Sequence, residues 1–265
     1  VHNGIKHLIL LLTLMFFVHS VKGEETVTIS VFEDHERYVI ASDAYGLSWR
    51  LLEVAAEHAE IKLLPEESSW KASMNRVKAH KVDLVFAAFK TAERSKWATF
   101  TLPLLSEGSG LFTRHNHSAS TLNDIDFESS IVGVSAKSLQ ETMALEMGFK
   151  NIYASVKRQQ LYRMLQQQRI DYLFFGESII NYYCLFIDSS RQRGCMKRVG
   201  NLYQFNTIHA LTDTTNSASV ALLARINQAL MALAQEQDVK QLFLDYEFDE
   251  TQYHHWLARL KASKS

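Results

Sequence analysis

The stretch WKASMNRVKAHKVDLVFAAF, Trp70 to Phe89, decides the fold. Its first half sets Trp70, Met74 and Val77 at helical spacing, an apolar stripe along an otherwise polar segment. Its second half runs from Val82 to Phe89 almost without polar side chains, the pattern of a strand covered on both faces. A helix leading straight into such a strand is half of a βαβ unit, and it predicts a parallel sheet with helices on its faces. The mutual spacing of Met74, Val77, Val82 and Asp83 returns in Tyr162, Leu165, Ile170 and Asp171. Any βαβ unit can produce such a four-position match, so the repeat depends on what flanks it.

The flanks agree with it. Upstream, Thr26 to Phe32 alternates polar and apolar β-formers, and Leu47, Leu51, Val54 and Ala55 recur at helical spacing behind Gly46. Ile61 to Leu64 is a second short strand. The plan then restarts: a strand from Ser130 to Val134, a helix from about Ser138 to Met147, and a strand from Asn151 to Ala154. Beyond it come a strand from Phe205 to Leu211, a helix with Leu223, Ile226, Leu230 and Leu233 as its stripe, and a helical segment near Val239 to Tyr246. This tail has too little sheet for a unit of its own and is expected to pack back on the first.

At the N-terminus Lys6 precedes the apolar run LILLLTLMFFV, Leu8 to Val18, and small residues follow up to Gly23. That layout predicts a secretory signal peptide over residues 1–23, since a spanning helix needs about 20 apolar residues. An uncleaved anchor is the alternative. The expectation is a protein working outside the cytoplasm, in the periplasm, where Cys184 and Cys195 would pair as a disulfide rather than remain buried thiols.

The 265 residues are 47% hydrophobic and 22% charged, enough for a real core of one or two units. A net charge of −1 with no basic block offers no surface for nucleic acid. With 10 Gly and 2 Pro there is little room for linkers. His115-Asn116-His117 and His254-His255 lack further ligands at zinc spacing, and no nucleophile elbow, phosphate loop or H-E-x-x-H helix occurs. Neither a metal nor a cofactor is expected.

Gly46-Leu47-Ser48, Trp70 before a helix, Lys81-Val82-Asp83-Leu84 and, most specifically, TAERSKWATFTLPL from Thr91 to Leu104 together resemble the bacterial extracellular solute-binding proteins of family 3. The likeness continues through IVGVSAKSLQET and QQRIDYLFFGES to the segment around Asn206 to Phe248. It implies an α/β fold of the type II periplasmic binding protein kind, with two lobes that are each a doubly wound mixed sheet, joined by a two-strand hinge. On that likeness residues 24–108 with 205–265 form lobe 1 and 109–204 form lobe 2. The chain crosses near Gly108 to Phe112 and returns through Gln204 to Ala210. Relatives fused to a kinase, cyclase or lytic domain carry far more chain, so this one is expected to work alone or through a partner.

The resemblance also points to site residues. Arg94 matches the position that holds a ligand carboxylate, a task suited to a guanidinium fork. The plain alternative is a surface Arg paired with Glu93. Ala87, Ala88 and Phe89 stand where relatives have hydroxyl-bearing residues. Ser138-Leu139-Gln140-Glu141 reads as a capping box starting a helix, at the position of the second-lobe anion loop and with Lys137 beside it. A cap without a ligand would have the same sequence. Amino-acid binders place an Asp where Gly176 stands here; Glu177, with its longer arm, is the candidate replacement acid, while the simpler implication of the departure is that an ordinary α-amino acid is not the ligand. Trp70, Tyr38, Tyr45 and Phe175 are candidate aromatic walls, although each could equally be core.

The implied function is a monomeric, non-enzymatic binding protein that closes on a small polar ligand, anionic or amino-acid-like, for an ABC transporter permease or a membrane sensor. A dehydratase-like enzyme using Glu177, or a periplasmic partner of a signalling receptor, are the alternatives.

Overall fold

The computed structural model describes residues 25–41 and 43–263; the segment read as a signal peptide lies outside them. Among the described residues nine strands form one mixed sheet in the order β2-β1-β3-β9-β5-β8-β6-β7, with β4 (Ala98–Phe100) also paired to β9. Strands β1 (Glu25–Val31), β2 (Ile61–Glu67) and β3 (Leu84–Phe89) are mutually parallel, with β1 in the middle. Strands β6 (Ile131–Ser135), β7 (Asn151–Ser155) and β8 (Tyr172–Gly176) repeat that arrangement about β6. Two long strands join the halves: β5 (Leu105–Thr113) and β9 (Lys197–Asp213), antiparallel to each other.

The repeat noticed in the sequence extends to individual hydrogen bonds. The Asp83 carboxylate accepts from the Thr28 amide at 2.8 Å, and the Asp83 amide donates to the Thr28 carbonyl at 3.1 Å. Asp171 makes the same reciprocal tie to Ile131, at 2.8 and 2.9 Å. The turn before each aspartate carries a residue in the left-handed region, His80 at φ 53° and Gln168 at φ 59°. Each aspartate therefore pins its incoming strand, after the turn that leaves a helix, to the first strand of its own half, and gives one amide of that strand an acceptor.

The expectation of a separate sheet for each half needs one refinement. The hydrogen-bonded path runs through, because β5 and β9 pair with each other over most of their length while β9 carries β3 and β5 carries β8 on the outer edges. The register slips at Gly108/Ser109 and Ser109/Leu111, with Gln204 at φ 34° opposite. Bulges of this kind bend and twist a ribbon locally.

Helices α1 (His35–Ala41), α2 (Asp43–His58), α3 (Trp70–Lys78), α4 (Leu139–Glu146), α5 (Arg158–Gln166) and α6 (Glu177–Tyr182) cover the sheet, followed by the C-terminal α7 (Ser217–Leu233), α8 (Gln237–Asp245) and α9 (Glu250–Ala262). Leu223, Ile226, Leu230 and Leu233 of α7 are all buried. The tail is tied to the first half of the chain: Asn227 Oδ1 accepts from the Leu102 amide at 2.7 Å, and Trp256 Nε1 donates to the Pro103 carbonyl at 3.1 Å. Cys184 and Cys195 form a disulfide, linking the start of the turn after α6 (Tyr183–Ile187) to the approach to β9. Among the described residues no single helix is long and apolar enough to cross a membrane.

Candidate functional site

The strand ends of the two halves face each other across a cavity of about 540 Å³, its open mouth included. Its lining draws on both halves and on the crossing strand: Trp70 and Arg94 from one side, Ser138 and Arg158 from the other, Glu107 from β5.

Arg94 follows β3 in a short turn and is only 5% exposed. One guanidinium nitrogen donates to the Phe89 carbonyl at 2.8 Å, and the group stacks over the Trp70 ring at 4.9 Å. None of the ion pairs among the described residues includes Arg94, not even one with Glu93. Burial pulls its pKa down to about 10, so it remains a cation at neutral pH. A buried charge without a carboxylate partner is costly, and the stack on Trp70 compensates only in part.

On the facing side Ser138 caps α4, its hydroxyl accepting from the Glu141 amide at 3.2 Å. The Glu141 carboxylate reaches back to the amide of Lys137, one residue before the cap. Lys137 takes a φ of 64°, which turns its carbonyl toward Trp70 Nε1, a donor at 2.9 Å. The Lys137 side chain itself is exposed and does not line the cavity.

Further contacts join the halves beside this bond. Tyr38, 1% exposed, stacks on Tyr182 with ring centroids 3.9 Å apart. Asp34 accepts from Gln159 Nε2 at 3.0 Å and from the Tyr182 hydroxyl. Tyr38 and Trp70 line a second, smaller cavity beside the first. Tyr45 lines the main cavity; Phe175 is fully buried in the core. Glu177 is exposed at the start of α6, ion-paired with Arg198 at 3.2 Å, and lines neither cavity.

Two charged residues of the site were not singled out from the sequence. Arg158 opens α5, donates from Nε to Ser135 Oγ at 3.0 Å and lies 3.7 Å over the Phe32 ring, so it bridges the halves. Glu107 projects from the crossing strand, one carboxylate oxygen accepting from the Ser178 amide at 2.6 Å. Burial raises its pKa to about 7, against the lowering effect of Ser178. The signal for Glu107 was present: it is the lone acid in the strand LSEGSGLFT. Arg158 sits in an unremarkable polar run and had no such mark.

The sequence model of the bacterial extracellular solute-binding proteins, family 3, matches residues 32–250. The chain belongs to that family. Solved structures of the same fold include the GluR0 ligand-binding core from Nostoc punctiforme in complex with L-glutamate, at 20% identity and a TM-score of 0.65, covering 84% of this chain and 98% of that one. An arginine transport periplasmic binding protein from Legionella pneumophila matches at 18% identity and a TM-score of 0.69, with 84% and 99% covered. A histidine kinase sensor domain with similarity to periplasmic binding proteins matches at 14% identity and 0.69, with 84% and 96% covered. No curated protein matches the chain. At these identities the neighbours establish the type II periplasmic-binding-protein fold, and the family membership establishes a solute-binding protein of the extracellular class.

Proposed function

We propose that this chain binds a small polar solute carrying an anionic group, in the cavity between two lobes that close on it. The lobes are residues 24–108 with 205–265 and residues 109–204. The reading is carried by Arg94: a cation 5% exposed, on a cavity wall, with no carboxylate partner among the described ion pairs. Beyond the bond to the Phe89 carbonyl, its remaining N–H groups can meet a ligand carboxylate, and Ser138 at the start of α4 lines the same cavity. The contacts that already join the halves make closure the state a bridging ligand would favour. The neighbours named above include a glutamate complex, an arginine transport protein and a sensor domain. Delivery to a permease or a membrane sensor by a monomer in the periplasm fits them, and no turnover is required.

Melting temperature against a panel of amino acids and organic acids tests the reading. A ligand at about a hundredfold its dissociation constant adds about 2.7 kcal/mol, which for a chain of this size is roughly 5–10 °C. Arg94→Met should abolish that shift. A panel with no shift for any compound would overturn the proposal.

A further inference from the structure

The site contains a second uncompensated charge, of opposite sign to Arg94. Glu107 lines the cavity, and it takes part in none of the ion pairs among the described residues. One of its oxygens accepts from the Ser178 amide at 2.6 Å, and the Ser178 side chain also hydrogen-bonds to the carboxylate. The other lies where a side chain on the opposite strand would be: a Cβ built at Gly176 would come 2.3 Å from Glu107 Oε2 and 2.6 Å from its Cδ. The Glu107 carboxylate and any side chain at 176 are thus alternative occupants of one place. Arg158, whose charge acts on Glu107, is engaged elsewhere, hydrogen-bonded to Ser135 and stacked on Phe32.

We propose that Glu107 is the contact for a cationic nitrogen of the ligand, an amine or a guanidinium, supplied by the crossing strand in the space a side chain at 176 would fill. This deepens the solute-binding reading and rests on it: the ligand is then a zwitterion, its anionic group at Arg94 and its cation at Glu107. A shielded carboxylate held only by Ser178 and paired with no cation is an unfavourable arrangement for folding alone, and a ligand cation would neutralise it. The charged and titratable groups facing Glu107 are Arg158 from α5, Glu177 at the start of α6, Arg94 from the loop after β3 and the Tyr45 hydroxyl from α2.

The test compares the common L-amino acids with their 2-hydroxy acids, which replace only the ammonium group, by calorimetry on the full chain. Amino compounds should bind at least about thirtyfold more tightly than their hydroxy counterparts, a ratio of the size a buried charge-assisted contact gives. Glu107→Gln keeps an oxygen for the Ser178 amide but loses the charge, and it should erase that ratio while the variant stays folded. In wild type the affinity for the amino compound should drop about tenfold from pH 8 to pH 6 as Glu107 takes up a proton, and in Glu107→Gln it should not. The double variant Glu107→Ala/Gly176→Asp carries the acid to the same place from the other strand and should restore the preference. Hydroxy acids binding as well as amino acids, or Glu107→Gln retaining the preference, would overturn this inference and leave the solute-binding reading standing. If neither class binds, both fall.

Discussion

Replacing Glu107 by Gln should make the ligand-free protein more stable at alkaline pH, and the size of the effect follows from the carboxyl's environment. Its pKa rises from an ordinary 4.5 to about 7 in the folded chain because burial penalises the charged form. A folded pKa above the unfolded one means that the folded state holds the proton longer. Its contribution is therefore full below about pH 4.5 and is lost as pH rises through 7. At about 1.36 kcal/mol per pH unit, the full window corresponds to about 3 kcal/mol. The carboxylate keeps some contact with the cavity, so about 1–2 kcal/mol is the expected difference between pH 5 and pH 8. Gln does not titrate, so urea unfolding of both proteins at the two pH values isolates this component. Any pH-independent change in the bond to Ser178 cancels in the comparison. A stability difference between the proteins that is the same at pH 5 and pH 8 would refute the reasoning.

Two further outcomes follow from other parts of the molecule. Trp70→Phe removes the donor to the Lys137 carbonyl; the net loss of about 1 kcal/mol should appear mainly as an opening of the halves, read as a larger radius of gyration in small-angle scattering, and an unchanged radius would count against that bond as a closure contact. Cys184→Ser opens a disulfide whose partners are 11 residues apart and should cost about 3 kcal/mol in urea unfolding, whereas an equal midpoint with and without reductant would argue that the loop contributes nothing.

The parts of the fold that were legible in the sequence are those set by local periodicity. Val82 to Phe89 read as a doubly buried strand because only Asp83, near its start, is polar, and β3 follows directly from Leu84 to Phe89. The helices α1 and α9 were not foreseen. Tyr38, Val39 and Ala41 of α1 bury a short patch with too few turns to show a period, and α9 has only Tyr253, Trp256 and Leu260 as its buried stripe. The continuity of the sheet was also not legible, since which strands pair across a crossing is decided by contacts distant in sequence. At the site, Trp70 and Arg94 stood out through their motif. Glu107 carried one local mark, as the lone acid of its strand, but its meaning depends on the absence of a side chain at Gly176, on another strand. A vacancy that matters only in combination with a distant residue leaves no local pattern.

The joint between the halves has a mechanical consequence. Since β5 and β9 stay zipped to each other from Leu105 to Thr113 apart from the slips near Gly108 and Gln204, parting the halves should ask for torsion of a two-stranded strap rather than rupture of its rungs. Backbone torsion at a few residues is inexpensive and reversible, so such a molecule could cycle many times without ever exposing a raw sheet margin to a neighbour.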